Sequence, residues 1–175
     1  AKWTRMSGAV VAIVAAAEHA VEAGEQAGVP VLVGHHRRHG SDIREAKRAI
    51  ESGELGRIVA VNGIAAVAKH DTYFDADWRR LPRGGPLLIN AIHDIDCFRT
   101  LCGEIEAVQA IGSSAVRGHA VEDTAAVALQ FRSGALGTYL LTDASPSPYF
   151  WEIAVEQSLT FPHQAEDCYV VFGRK

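Results

Sequence analysis

Apolar residues recur at a helical period near the start of the chain. Alanines and valines over residues 9–27 are interleaved with Glu18, Glu22 and Glu25, and Gly28 stands where such a pattern stops. The spacing predicts a helix over residues 8–27, with Ser7 placed to cap it. Val29-Pro30-Val31-Leu32-Val33-Gly34 is nearly all apolar, as in a short strand of a parallel sheet covered on both faces. Ser41 is placed to cap a second helix over residues 42–52, whose inner face carries Ile43, Ala46, Ala49 and Ile50. Gly53 and Gly56 close it, and the period then drops to two, predicting a long strand over residues 57–69. Residues 70–85 form a polar loop carrying Tyr73, Trp78, Arg79 and Arg80, and that length and composition favour function over mere connection.

The segment Gly84-Gly85-Pro86-Leu87-Leu88-Ile89-Asn90-Ala91-Ile92-His93-Asp94-Ile95-Asp96 reads as a loop feeding a helix. Pro86 suits the first helical position, Leu88, Ile92, Ile95 and Phe98 make an apolar stripe, and Gly103 is placed to end it. The remainder is mostly strand: residues 105–114, then 123–131 and 135–143 as a hairpin around Arg132-Ser133-Gly134. Ser145-Pro146-Ser147-Pro148 breaks the pattern before candidate strands over residues 150–155 and 168–172. The order predicts an α+β chain with an α/β remnant at its start and an open, mostly antiparallel sheet. One helix and one strand cannot bury themselves, so a segment before residue 1 or another chain is expected to complete the remnant. An open sheet also has a face to cover, so a homodimer or homotetramer is expected.

Composition narrows the classes. The 175 residues are 48% apolar and 22% charged, enough for a sizeable core, and the net charge is −4. Basic residues are scattered apart from Arg37-Arg38 and Arg79-Arg80, which argues against nucleic acid. Cys97, Cys102 and Cys168 form no framework, which predicts reduced thiols and a cytoplasmic setting. Lys2 and Arg5 ahead of an apolar run resemble a signal peptide. The alanine pattern continues past any cleavage point, however, and the run is too short to span a membrane.

His93 is the focal candidate for chemistry. Asn90 and His93 are three residues apart and share a helix face, and Asp96 is placed to hold or charge the imidazole. Such a histidine either moves protons or is a core residue satisfied by Asp96. Zinc between His35, His36 and His39, with His70 or His93, is disfavoured: on a strand His35 and His36 point to opposite faces, so no metal is expected. Arg37-Arg38 also reads as a solvated strand end, Trp78 as packing over the sheet, and His19, His119 and His163 as surface residues.

These pieces, in this order, resemble the glucose-fructose oxidoreductase and inositol dehydrogenase (Gfo/Idh/MocA) family. The resemblance rests on Ala27-Gly28-Val29 leading to Val33-Gly34-His35-His36-Arg37-Arg38, on Ser52-Gly53-Glu54-Leu55-Gly56-Arg57-Ile58, and on Gly84-Gly85 through His93 and Asp96 to Gly103. It implies a Rossmann domain that binds NAD or NADP, followed by a domain whose helices cover one face of an open sheet. The reaction implied is hydride exchange between a nicotinamide and a sugar, polyol or related substrate. On this reading residues 1–36 are the tail of the Rossmann domain and residues 37–175 a substrate and oligomerisation domain cut short at its C-terminus. The resemblance makes His93 catalytic, His36 and Arg37 substrate-contacting, and Trp78 and Arg79 neighbours of the nicotinamide or substrate. Asp96 would orient His93, while Arg37, Asn90 and Lys69 would bind hydroxyls or a carboxylate.

The departures from the family are specific. No Gly-x-Gly-x-x-Gly occurs, so this chain alone is expected to hold a dinucleotide weakly or not at all. The family's Glu-Lys-Pro has no match in residues 1–7, and Ile89 replaces the carboxylate four residues before the histidine. The alternative is a non-catalytic dimerisation or ligand-binding module derived from that domain.

Overall fold

The computed structural model describes residues 8–175, and the chain divides at Gly34 into two compact units. In the first, α1 (Gly8–Ala27) ends at Gly28, whose φ of 65° only glycine adopts readily, and the Val29 N–H bonds back to the Gly24 carbonyl at 2.9 Å. The strand expected over residues 29–34 does not form. A strand exists only through a ladder to a neighbour, and residues 29–34 have no ladder partner among the described residues. Ser7, Lys2 and Arg5 lie outside the described residues.

The second unit is built on a five-stranded sheet in the order β2-β3-β4-β1-β5. The strands are β1 (Ile58–Ala66), β2 (Ile105–Ser113), β3 (Thr124–Phe131), β4 (Leu136–Thr142) and β5 (Tyr169–Gly173). β1 runs parallel to β4 and every other pairing is antiparallel, so the α+β open sheet follows the sequence pattern. The β3–β4 turn holds Gly134 at a φ of 85°. Alternation is clean in this hairpin: Ala125, Val127, Leu129, Phe131, Tyr139 and Leu141 point into the core. On the other face Ile111, Leu136, Leu140 and Phe172 are exposed.

α2 (Ser41–Glu51) and α4 (Ala91–Cys102) contribute to the core. Gly40, not Ser41, is the N-cap of α2, and it makes no side-chain cap bond. The predicted single helix after Gly85 is two: α3 (Pro86–Ile89) and α4, separated at Asn90, whose φ of −107° leaves the helical path. Pro86 and Gly103 occupy the start and stop expected of them. The buried face of α4 is Ala91, Asp94, Phe98 and Leu101, whereas Leu88 is 41% exposed. Phe98 of the expected stripe is buried, but Ile92 and Ile95 are half-buried, and Ala91, Asp94 and Cys97 share the packed face instead. Phe98 lies so near Gly63 of β1 that a Cβ there would overlap the ring. Residues 150–155 also turn helical, as α5 (Trp151–Ala154), with the Ala154 N–H bonded to the Phe150 carbonyl at 3.0 Å. An apolar run that short does not distinguish a strand from a buried helical turn. The loop over residues 70–85 contains two 3₁₀ turns, Asp71–Asp75 and Asp77–Arg80.

Candidate functional site

The break between α3 and α4 turns Asn90 toward the loop after β1. Its side-chain oxygen accepts a bond from the Lys69 ammonium at 2.8 Å, and its carbonyl accepts the His93 N–H at 3.1 Å. The Lys69 ammonium also reaches the Tyr73 hydroxyl at 3.3 Å and lies 4.3 Å from the ring centroid. The Arg79 guanidinium lies 3.9 Å from the Tyr73 centroid and 5.2 Å from that of Trp78, which is 52% exposed. Lys69, Asn90, Tyr73, Arg79 and Trp78 thus make one run of contacts that leads to His93, bringing four of the anticipated residues together.

His93 is half-buried. The His36 ring lies 5.1 Å away and the His35 ring 5.9 Å away, both edge-on. Burial, followed by the charges of Arg37, His36 and His35, lowers its proton affinity below the usual imidazole range, with Glu152 acting in the opposite direction. Its Nδ1 is buried and has no hydrogen-bond partner.

Asp96 does not orient this ring. Its carboxylate accepts bonds from Arg38, with Nε at 2.6 Å, and lies 3.0 Å from the His35 Nδ1. A charged guanidinium fork outcompetes a neutral imidazole for a carboxylate. Burial pushes Asp96 upward, but the bonds from Arg38 and His35 outweigh it and hold the carboxyl below its ordinary value.

Arg37, expected to contact substrate, is 2% exposed. It begins a 3₁₀ turn (Arg37–His39) and donates Nη1 to Asp94 at 2.8 Å and Nη2 to Glu152 at 2.6 Å, with Trp151 stacked 5.0 Å away. Asp94 also accepts the hydroxyls of Tyr139, at 2.7 Å, and Tyr169. Buried charges persist when paired and bonded, so Arg37, whose Nη1 and Nη2 are bonded while its Nε has no partner among the described residues, is the hub beneath the site. Sequence reasoning missed Asp94, Tyr139, Glu152 and Tyr169. The available signal was Asp94 itself, an acidic residue in the same helical row as Ala91, Phe98 and Leu101.

His35 and His36 are not on a strand, so the opposite-faces argument fails and both rings approach His93. Among the described residues no group of three His, Cys, Asp or Glu side chains could hold a metal ion. Burial pushes Cys97 and Cys168 up to about 12 and Cys102 up to about 11, leaving them protonated thiols at neutral pH. Among the described residues no helix is long and apolar enough to cross a membrane.

The glycine turn before α3 is the part of the site most like a phosphate cradle, and it does not fit one. The Glu122 carboxylate lies against Gly85, and its Oε1 accepts the Leu87 N–H at 3.0 Å. An anion of the protein's own already occupies the position where a pyrophosphate would bind. No dinucleotide phosphate is therefore held at this turn.

The GFO/IDH/MocA C-terminal domain family matches residues 43–175. Myo-inositol 2-dehydrogenase of Thermotoga maritima is 34% identical over 122 residues, covering 67% of this chain and 35% of its own length. The WlbA dehydrogenase from Bordetella pertussis, solved in complex with NADH and UDP-GlcNAcA, aligns with a TM-score of 0.72 and 30% identity over 90% of this chain and 46% of that one. An aldose-aldose oxidoreductase from Caulobacter crescentus complexed with glycerol aligns with a TM-score of 0.67 and 26% identity, over 76% and 41%. The chain spans less than half the length of each of these three relatives.

Proposed function

This chain belongs to the GFO/IDH/MocA family, and from that premise we propose that it is the substrate-handling part of an NAD(P)-dependent oxidoreductase of a sugar, polyol or related carbinol. Residues 37–175 are the substrate domain on this reading, and residues 1–36 the tail of a dinucleotide-binding domain. The observation that carries it is the Lys69–Asn90 side-chain bond at the α3–α4 break, one helical turn before half-buried His93. A lowered proton affinity keeps His93 neutral at pH 7, as a base for a hydroxyl proton must be. Lys69 and Asn90 supply a charged donor and an amide to fix neighbouring hydroxyls, and His36 stands beside the imidazole. The myo-inositol, UDP-GlcNAcA and glycerol named for the relatives are polyhydroxylated, which supports this substrate class. The nicotinamide supplies the redox chemistry and is held by residues other than those of the glycine turn, with Trp78 and Arg79 facing it.

Two titrations test this division of labour. Purified chain is expected to give no enhancement of NADH or NADPH fluorescence at micromolar concentration; saturable enhancement overturns it. Calorimetry against myo-inositol, glycerol and UDP-GlcNAcA is expected to find one ligand whose binding weakens about tenfold or more in Lys69→Ala and Asn90→Ala, the loss of one good polar contact. Binding of none of the three by the wild-type chain sinks the substrate assignment.

The outer sheet face, with Ile111, Leu136, Leu140 and Phe172 exposed, is proposed to seat a second copy of the chain. Sedimentation velocity is expected to show a dimer or tetramer that Ile111→Asp dissociates. A wild-type monomer would remove the proposal.

A further inference from the structure

Among the described residues four buried side-chain atoms have no hydrogen-bond partner: Nε of Arg37 and of Arg79, and the pair Nδ1 of His93 and Oε2 of Glu152. The surroundings of His93 and Glu152 tie them together from two sides. Arg37 bonds Asp94, the residue after His93, at 2.8 Å, and bonds the other Glu152 oxygen at 2.6 Å. The His36 ring lies 5.1 Å from His93 and 6.3 Å from Trp151, the residue before Glu152. A buried orphan in a native fold calls for an explanation, and these two are complementary: an imidazole N–H donates and a carboxylate accepts.

Building on the reading of His93 as proton acceptor, we infer that Glu152 is its positioning residue, accepting the Nδ1 proton directly after a small closure or through one water. A neutral imidazole has one protonated nitrogen, and the hydrogen bond at one nitrogen decides which. With the proton fixed on Nδ1, Nε2 presents its lone pair to the substrate hydroxyl. The hydroxyl proton then moves to Nε2, the Nδ1 proton stays in place, and Glu152 faces the imidazolium that results. That cation otherwise meets Arg37 from the 3₁₀ turn and His35 and His36 from the segment before it. The carboxylates of α4 are already engaged, Asp94 by Arg37, Tyr139 and Tyr169, and Asp96 by Arg38 and His35. Of the carboxylate oxygens around His93, Oε2 of Glu152 is the one without a partner among the described residues.

The test is the tautomer of His93, read by two-bond proton–nitrogen correlation on the ¹⁵N-labelled chain without substrate or coenzyme. The neutral wild-type ring is expected to carry its proton on Nδ1. Glu152→Gln is expected to shift the ring toward the Nε2–H form and to lower the His93 pKa by about half a unit or more, since it removes the facing negative charge. A wild-type ring protonated on Nε2 overturns the inference without any variant. A folded Glu152→Gln chain with unchanged tautomer and pKa overturns it as well. If Glu152→Gln fails to fold, Glu152→Asp, which keeps the charge but draws it back, is read for the same tautomer shift, and an unchanged ring again overturns the inference. Neither ligand nor coenzyme enters this measurement, so its failure is separable from failure of the polyol titration.

Discussion

Asp94 and Asp96 stand two residues apart on α4, each paired with one of two consecutive arginines, and the two centres differ in almost every physical respect. Asp94 and Arg37 are 1% and 2% exposed, and Tyr139, Tyr169 and Glu152 add further bonds to the pair. Asp96 is itself 2% exposed, but it is reached by an arginine that is 38% exposed and by a histidine that is 27% exposed, so the difference lies in the partners. The same residue types in the same order therefore make a structural hub in one case and a clamp at the rim of the site in the other. Residue identity does not set the energy of an ion pair; the water left around it does.

The largest expected effect breaks the hub. Arg37→Ala leaves Asp94 charged and buried without its cation, and urea denaturation is expected to show a loss of about 3–5 kcal/mol. Arg38→Ala removes a half-exposed partner from a carboxylate that keeps its His35 contact, and is expected to cost less, about 1–2 kcal/mol in the same assay. Similar losses from the two variants would erase the distinction between the centres. The smallest effect is a pH signature at the rim. Folded Asp96 sits below its ordinary value because the bonds from Arg38 and His35 overcome burial, so the unfolded chain binds that proton more readily. Its contribution to stability is present above the unfolded carboxylate value of about 4 and is lost as pH falls through the folded value. The melting temperature of Asp96→Asn is therefore expected to lie below wild type at neutral pH and to converge with it as pH falls through the folded carboxyl's value. A gap that stays constant on acidification would mean that Asp96 holds no such bonds.

These contrasts mark what the sequence could disclose. The β3–β4 hairpin was readable because alternation and the Arg132-Ser133-Gly134 turn are local, and so were Pro86 and Gly103 at the helix ends. Lys69 and Asn90 were picked as polar groups near His93, and they do meet. The hub was not readable, because Arg37 finds Asp94 across 57 residues and Glu152 across 115. Local spacing offered Asp96 to His93, and a guanidinium from far along the chain took it. Residues 29–34 failed for a related reason: an apolar run is a strand only if a neighbour pairs with it.

The parallel pairing of β1 with β4 has a consequence for synthesis. Ala60 lies opposite Leu136 and Gly63 opposite Tyr169, so the sheet's first strand waits for partners translated long afterwards. Contacts this distant in sequence slow folding. Arg37 and Asp94 leave the ribosome well before Tyr139, Glu152 and Tyr169, which means the charged centre is finished only when the last strand docks. A nascent chain that stalls before Tyr169 holds its carboxylate incompletely bonded, and that unmet bonding separates an unfinished molecule from a complete one.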